Sequence, residues 1–209
     1  YYVSIFSIPN YLNLSRTQVI FVKDQKLIDI NSDKDPDRAF TCVAFRAHQV
    51  LSGIDNERGQ KKCLRDWFYD LGWESNKILD LMNDSDDFYF DVMAQIKMGS
   101  WTKGRVALLG DAGYCASPLS GMGINLAIVG AYILAGELKS AEGDYSIAFK
   151  RYNELMRPFV DTNQDLAPWF GECFLTKYEV SKKIIEQRSS MIMEKIKVAA
   201  NAISLPDYA

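Results

Sequence analysis

The residues best suited to chemistry lie in one run, GRVALLGDAGYCASPLSGMGINLAIVGAYILAGEL, residues 104–138. Gly104–Gly110 reads as a short apolar strand closed by glycine. It delivers Asp111 to the C-terminal edge of a sheet, where ligands sit in open α/β folds. A carboxylate there, followed by the small Ala112 and Gly113, can approach a ligand closely and accept hydrogen bonds from its hydroxyls. The loop then passes Pro118 to Gly121-Met122-Gly123, where two glycines let the backbone lie against a flat ligand without a Cβ in the way. An Ala- and Leu-rich helix opens near Ile124 and Asn125, so its free N–H groups and positive dipole end point at the same space. Such a helix start favours an anion or a developing negative charge. Taken singly, a Gly-Asp after a strand or a Gly-x-Gly before a helix is more often a plain turn. The ordered series of strand, Gly-Asp, Pro, Gly-x-Gly-x-Asn and helix is far more specific. It is not a dinucleotide fingerprint, because Gly121-Met122-Gly123-Ile124-Asn125-Leu126 lacks the last glycine.

Other chemistries are excluded by composition. The single histidine, His48, rules out a His-x-x-x-His zinc site and a two-histidine proton relay, so no metal centre is expected. His48 itself reads as a surface or hydrogen-bonded residue rather than a base. Cys42, Cys63, Cys115 and Cys173 are far apart with no Cys-x-x-Cys pair, which points to a reduced, cytoplasmic protein. Cys115 has no neighbouring lysine or histidine to activate it as a nucleophile. A net charge of −3 argues against a nucleic-acid partner. No charged residue occurs between Asp111 and Glu137, but the apolar part, Ile124–Ala135, falls short of the roughly 20 residues an integral membrane span needs.

The elements that must position this loop follow from patterning. The chain has 209 residues, 48% of them hydrophobic, enough to bury a core without disulfide or metal staples. Residues 1–9, 17–23 and 39–46 are rich in β-branched and aromatic side chains and read as strands, with a polar loop at 31–38. Helical spacing runs through 57–71 and 74–82, and residues 88–98 alternate as a strand with two faces. Phe90, Val92, Ala94 and Ile96 share one face and Tyr89, Asp91, Met93 and Gln95 the other; one of them should meet a substrate cavity. Helices are expected at 124–138 and 144–160, the second kinked or ended by Pro158, and one long amphipathic helix at 174–203. That last helix should cover the domain or a second subunit. The chain opens within strand-like sequence and without Met, so it reads as a fragment.

Residues 104–138 resemble the second flavin-binding motif of the FAD-dependent monooxygenases of the para-hydroxybenzoate hydroxylase type. The resemblance extends back through Phe88–Trp101 and forward to Leu205-Pro206-Asp207-Tyr208. It implies an α/β (α+β) fold, a partial Rossmann-like FAD-binding domain joined to a mostly antiparallel substrate-domain sheet, with C-terminal helices. Residues 1–100 would be the substrate-binding part, 101–165 the second half of the FAD-binding domain, and 166–209 the C-terminal helix region. By the same resemblance Asp111 would hydrogen-bond the flavin ribityl chain and Pro118 would line the ring. The loop at Gly121 and the backbone of Gly123 and Ile124, with Asn125 beside them, would face the pyrimidine edge. Reduced flavin is negatively charged there, which suits a helix N-terminus.

The reaction implied is hydroxylation of a small, aromatic or apolar substrate by way of a flavin C4a-hydroperoxide, with NAD(P)H as reductant. The cofactor carries that chemistry, so no catalytic residue is assigned to this chain. Gly113 and Tyr114 stand where the family usually has Ala and often His. Tyr114 and Cys115 either look toward the flavin or pack under the loop; Arg105 either touches a phosphate or ribityl group or is a solvated strand-start arginine. The family's first motif, Gly-x-Gly-x-x-Gly, has no counterpart, since no glycine precedes Gly53. Val106–Leu109 should therefore lack neighbours that the interior strand of a parallel sheet needs. The expected partners are a complementing N-terminal segment or a second copy of the chain. The alternative function is a flavin-free binding or scaffold module of the same fold.

Overall fold

Alternation of apolar and polar side chains draws the first part of the chain into an antiparallel sheet in the computed structural model, which describes residues 1–175 and 182–208. Strands β1 (Tyr2–Pro9), β2 (Gln18–Lys23), β3 (Lys26–Ser32), β4 (Arg38–Phe45) and β5 (Tyr89–Val92) are ordered β2-β3-β4-β1-β5. The register pairs Tyr2 with Phe45 on one side and with Val92 on the other. Because side chains alternate, Phe6, Ile8, Ile28, Ile30, Val43 and Phe45 all fall on one face and are buried there. Helices α1 (Glu57–Phe68) and α2 (Ser75–Leu81) cover that face with Leu64, Phe68, Ile78 and Leu79. Asn56 caps α1 by accepting from the Gly59 amide at 2.9 Å. Phe90 and Val92 share the helix-covered side, while Tyr89 and Asp91 project from the other.

The strand β3 is absent from the sequence reading, which placed a polar loop from residue 31. Asp24 and Gln25 both have positive φ, 49° and 61°, and make the two-residue hairpin turn that joins β2 to β3. Without glycine at either position, the turn leaves no strong mark in the sequence.

A second compact unit is built on Ala94–Gly171 with the C-terminal helix. It contains β6 (Thr102–Lys103), β7 (Val106–Ala107), α3 (Asp111–Tyr114), α4 (Gly123–Ser140), α5 (Tyr145–Gln164), α6 (Leu166–Phe174) as far as Gly171, and α7 (Lys182–Ala200). Its core joins Trp101, Tyr114, Leu126, Ile133, Tyr152, Met156, Phe159 and Val160. Two expected strands are much shorter than their apolar runs. Residues 104–110 give only β7, paired antiparallel with β6 around Gly104 and Arg105, and Val106 is 62% exposed. Among the described residues no parallel strand flanks it, so the ladder an interior strand requires is not formed. The strand read at 88–98 ends at Val92, because β1 offers it only the four partners Tyr2–Ile5.

Pro158 does not end α5, which continues to Gln164. Burial of Met156, Phe159, Val160 and Asn163 on one face outweighs the single backbone bond the proline removes. The short helix α6 was not anticipated. Of the long helix expected over 174–203, Lys182–Ala200 is helical, and residues 176–181 lie outside the described residues. At the C-terminus the Tyr208 ring sits on Gly136 where a Cβ would overlap it, and its hydroxyl donates to Glu137 Oε1 at 2.7 Å. No described helix is long and apolar enough to cross a membrane.

Candidate functional site

The strand β7 ends in Leu108-Leu109-Gly110, and Gly110 turns the chain at φ 61°, ψ −139°, a conformation that only glycine adopts without strain. This turn starts α3, a single helical turn in which the Gly113 and Tyr114 amides donate to the Gly110 carbonyl at 3.0 and 2.9 Å. Asp111 is exposed at the start of that turn, and Tyr114 is buried at its end.

Beyond α3 the loop is held by its own serines. Ser117 has φ 75° and ψ 146°; its carbonyl accepts from the Ser120 amide at 3.0 Å and the Ser120 hydroxyl at 2.9 Å. The Met122 amide in turn donates to Ser120 Oγ at 3.1 Å. Gly121 follows at φ 65°, with open space where a Cβ would stand. The helix α4 then begins with no capping side chain, and the first amide bonded within it is that of Leu126, to Met122 O at 3.0 Å. Among the described residues the N–H groups of Gly123, Ile124 and Asn125 meet no acceptor and can serve a ligand.

The loop brings its two halves together. Asp111 Oδ1 lies 3.7 Å from the position a Cβ on Gly123 would take, so the carboxylate and the α4 N-terminus are side by side. Pro118, Gly121, Ile124 and Asn125 are exposed and Gly123 half-buried. Ile124 is 77% exposed, an unusual state for an isoleucine beside an uncapped helix end.

The remaining candidates separate. Tyr114 packs under the loop: it is 1% exposed, edge-on to Trp101, and its hydroxyl fills a notch at Gly130. Cys115 is half-buried; desolvation pushes its thiol above the ordinary range, and its Sγ lies 3.8 Å from the Ala94 carbonyl. Arg105 lies over the exposed Tyr145 ring at 5.7 Å. His48 is hydrogen-bonded to Gln25 at 3.2 Å.

Sequence reasoning missed the side chains that support the loop from α5, and it gave Gln95, which does the same from the segment before Trp101, only a place on a strand face. Gln164 donates to the carbonyls of Ile96 and Cys115 at 2.8 and 3.1 Å, and Gln95 donates to those of Ala116 and Gln164 at 3.1 and 2.6 Å. The Tyr152 hydroxyl donates to the Leu108 carbonyl at 3.0 Å and lies 3.1 Å from that of Tyr114. Burial, reinforced by the contact with Tyr114, raises the Tyr152 hydroxyl far above the usual phenol range, so it stays protonated. The available signal was polar: Asn163 and Gln164 continue the spacing of the apolar positions 152, 156, 159 and 160.

Known proteins similar to this chain include flavin-dependent enzymes. The FAD binding domain family matches residues 80–161. A flavin-dependent monooxygenase of Legionella longbeachae is 56% identical over 99% of this chain and 53% of its own length. Crystal structures of the tetracycline destructases Tet(51) and Tet(55) superpose with TM-scores of 0.86 and 0.93, at 58% and 51% identity. They cover 100% and 99% of this chain and 55% of each destructase. The chain spans about half the length of the relatives it matches. On sequence identity and on fold, the chain is similar along its whole length to about half of a flavin-dependent monooxygenase, and its residues 80–161 match the FAD binding domain family.

Proposed function

We propose that the Asp111–Asn125 loop holds the isoalloxazine end of FAD in a monooxygenase that oxygenates a small aromatic, polycyclic substrate of the tetracycline class. The observation that carries this reading is the Asp111 carboxylate lying beside the uncapped start of α4. The residues fit the group: an exposed acceptor for ribityl hydroxyls, free amides for the electron-rich edge of the ring, and a left-handed Gly121 with open space in front. The identity to two tetracycline destructases along the whole chain supports the substrate class.

When bound, FAD supplies the redox chemistry, in which NAD(P)H, a proton, dioxygen and substrate become NAD(P)+, water and hydroxylated substrate. Asp111 accepts hydrogen bonds from the ribityl chain and fixes its position. The amides of Gly123 and Ile124 offset negative charge as it develops at the ring, an interaction strengthened by exclusion of water. Pro118 and Ile124 supply the apolar walls that exclude it. The contacts to the ADP half of FAD are assigned to a complementing N-terminal segment.

The test is titration of FAD into the chain, alone and with the N-terminal portion of the Legionella relative, followed by its visible absorption. Asp111→Ala should weaken binding by about tenfold, the worth of one charge-assisted hydrogen bond, without moving the melting temperature. The loaded protein should oxidise NAD(P)H faster with tetracycline present and add one oxygen atom to it by mass. Equal FAD affinity of the Asp111→Ala variant would remove the site reading; full flavin loading without tetracycline oxygenation would remove the substrate class.

A further inference from the structure

The turn that presents Asp111 has little means of holding itself. The helix α3 is four residues long, its Gly110 N-cap offers no side chain, and a lone helical turn costs more conformational entropy than its bonds return. Yet the function above needs the carboxylate fixed beside α4. The support comes from beneath. Tyr114, the last residue of the same turn, sends its ring into the core against Trp101, with centroids 4.9 Å apart, and its hydroxyl into the space left by the missing side chain of Gly130. There it meets the hydroxyl of Tyr152 from α5, which also donates to the carbonyl of Leu108, two residues before Gly110. One proton assignment satisfies the set: Tyr152 donates to Leu108, and Tyr114 donates to Tyr152.

We propose that Tyr152 and Tyr114 are positioning residues for Asp111, their joined hydroxyls clamping both ends of the Leu108–Tyr114 turn so that the carboxylate stays against the α4 N-terminus. The role rests on the reading of Asp111 as a flavin contact. Gly130 belongs to the device, because any Cβ there would displace the Tyr114 hydroxyl. The clamp also accounts for the tyrosine itself. A buried tyrosine needs a partner for its hydroxyl, and this one is spent on the backbone that carries Asp111 rather than on the ligand.

The experiment separates positioning from stability. Tyr152→Phe removes the clamp; Ile133→Val, in the same core and also fully buried, is the control of similar cost. Hydrogen exchange at the Gly113 and Tyr114 amides is read on the chain without flavin, and FAD dissociation on the complemented protein. Tyr152→Phe should speed exchange at those amides by about five- to tenfold beyond Ile133→Val and weaken FAD by a similar factor, as for loss of one hydrogen bond. Gly130→Ala should reproduce both effects, and adding Tyr114→Phe to it, which clears the overlap but leaves the hydroxyls unjoined, should restore neither. Exchange in Tyr152→Phe no faster than in Ile133→Val would overturn the clamp. Faster exchange, with FAD bound equally by wild type, Tyr152→Phe and Asp111→Asn, would instead overturn the flavin contact, and the positioning role with it.

Discussion

The sheet unit and the loop-bearing unit satisfy their backbones in different ways. In the first, carbonyls and amides of β1–β4 pair along continuous ladders, and side chains are left to pack. In the second, the segment from Ala94 to Trp101 has no ladder, and α5 takes its place. Asn153 accepts from the Trp101 amide, Arg157 donates to the carbonyls of Met98 and Gly99, and Gln164 to that of Ile96. The guanidinium of Arg157 also lies 3.8 Å over the Trp101 ring. A region held by side chains can take the irregular path a ligand loop needs, at the cost that single polar residues become structural. A region held by ladders tolerates polar change and depends instead on its apolar core.

The largest effect should come from that core. Phe45 is fully buried, stacked on Tyr2 and in contact with the rings of Trp67 and Phe68. Phe45→Ala should cost about 3–5 kcal/mol in a denaturant titration. Hydrogen exchange should quicken throughout β1–β4. If instead the melt of this variant lost less than an exposed substitution does, the sheet would not depend on its core and the contrast would fail.

Next is Gln164→Ala, which strips donors from two carbonyls at once, those of Ile96 and Cys115. Leaving the part-buried Ile96 carbonyl unpaired, and the Cys115 carbonyl with the Ile96 amide as its remaining donor, should cost about 2 kcal/mol, although only one polar side chain is lost. Gln164→Glu, which keeps the volume but replaces the donating amide, should be no better. A neutral result for both would show that water replaces the amide and that α5 does not act as a ladder.

This difference also decides how much was legible in the sequence. Runs of β-branched and aromatic residues located β1, β2 and β4, alternation located β5, helical spacing α1 and α2, and an Ala- and Leu-rich run α4, because each writes its buried face into apolar residues. Asp111, Gly121 and Gly123 could be singled out because the turns at Gly110 and Gly121 and the helix start beside the carboxylate need special residue types in order. The strand β3 was hidden by a turn without glycine, and Gln164 by the proline before it, which made the helix appear to stop. The pairings of Tyr152 with Leu108 and of Arg157 with Met98 join positions far apart in sequence, and no local pattern encodes them. The missing neighbours of β7 were legible, since no glycine precedes Gly53 and the first motif is absent; how few residues its apolar run would keep in a strand was not.

A smaller effect, opposite in sign, is expected at Ser117. At φ 75° and ψ 146° a residue with a Cβ is strained by about 1–3 kcal/mol, while glycine is not. Ser117→Gly also frees the unfolded chain by about 0.5–1 kcal/mol. The net result should be a gain of roughly 1 kcal/mol in stability. A loop held by side chains should then be more mobile despite the higher melting temperature, seen as faster exchange at the Ser120 amide. A lower melting temperature would mean that the Ser117 hydroxyl, which accepts from Leu119 at 3.4 Å, outweighs the strain.

The smallest effect belongs to the sheet unit and is electrostatic. Asp87 is partly desolvated, which by itself raises its carboxyl. Hydrogen bonds from the Ser7 hydroxyl and amide and from Ser85, with Arg38 at 3.4 Å, outweigh this and hold it at about 2. The folded value lies below the unfolded one, so the unfolded chain binds the proton more readily. The stabilisation is therefore complete above the ordinary carboxylate value of 3.8 and is lost as pH falls toward about 2. The side chain is 43% exposed, so solvent screens much of it. Asp87→Asn should flatten the acid limb of the stability curve between those two values and leave the neutral plateau slightly lower. An unchanged acid limb would mean that the cluster closes nothing that the β1–β4 ladder does not already hold, which would draw the contrast with the loop-bearing unit more sharply still.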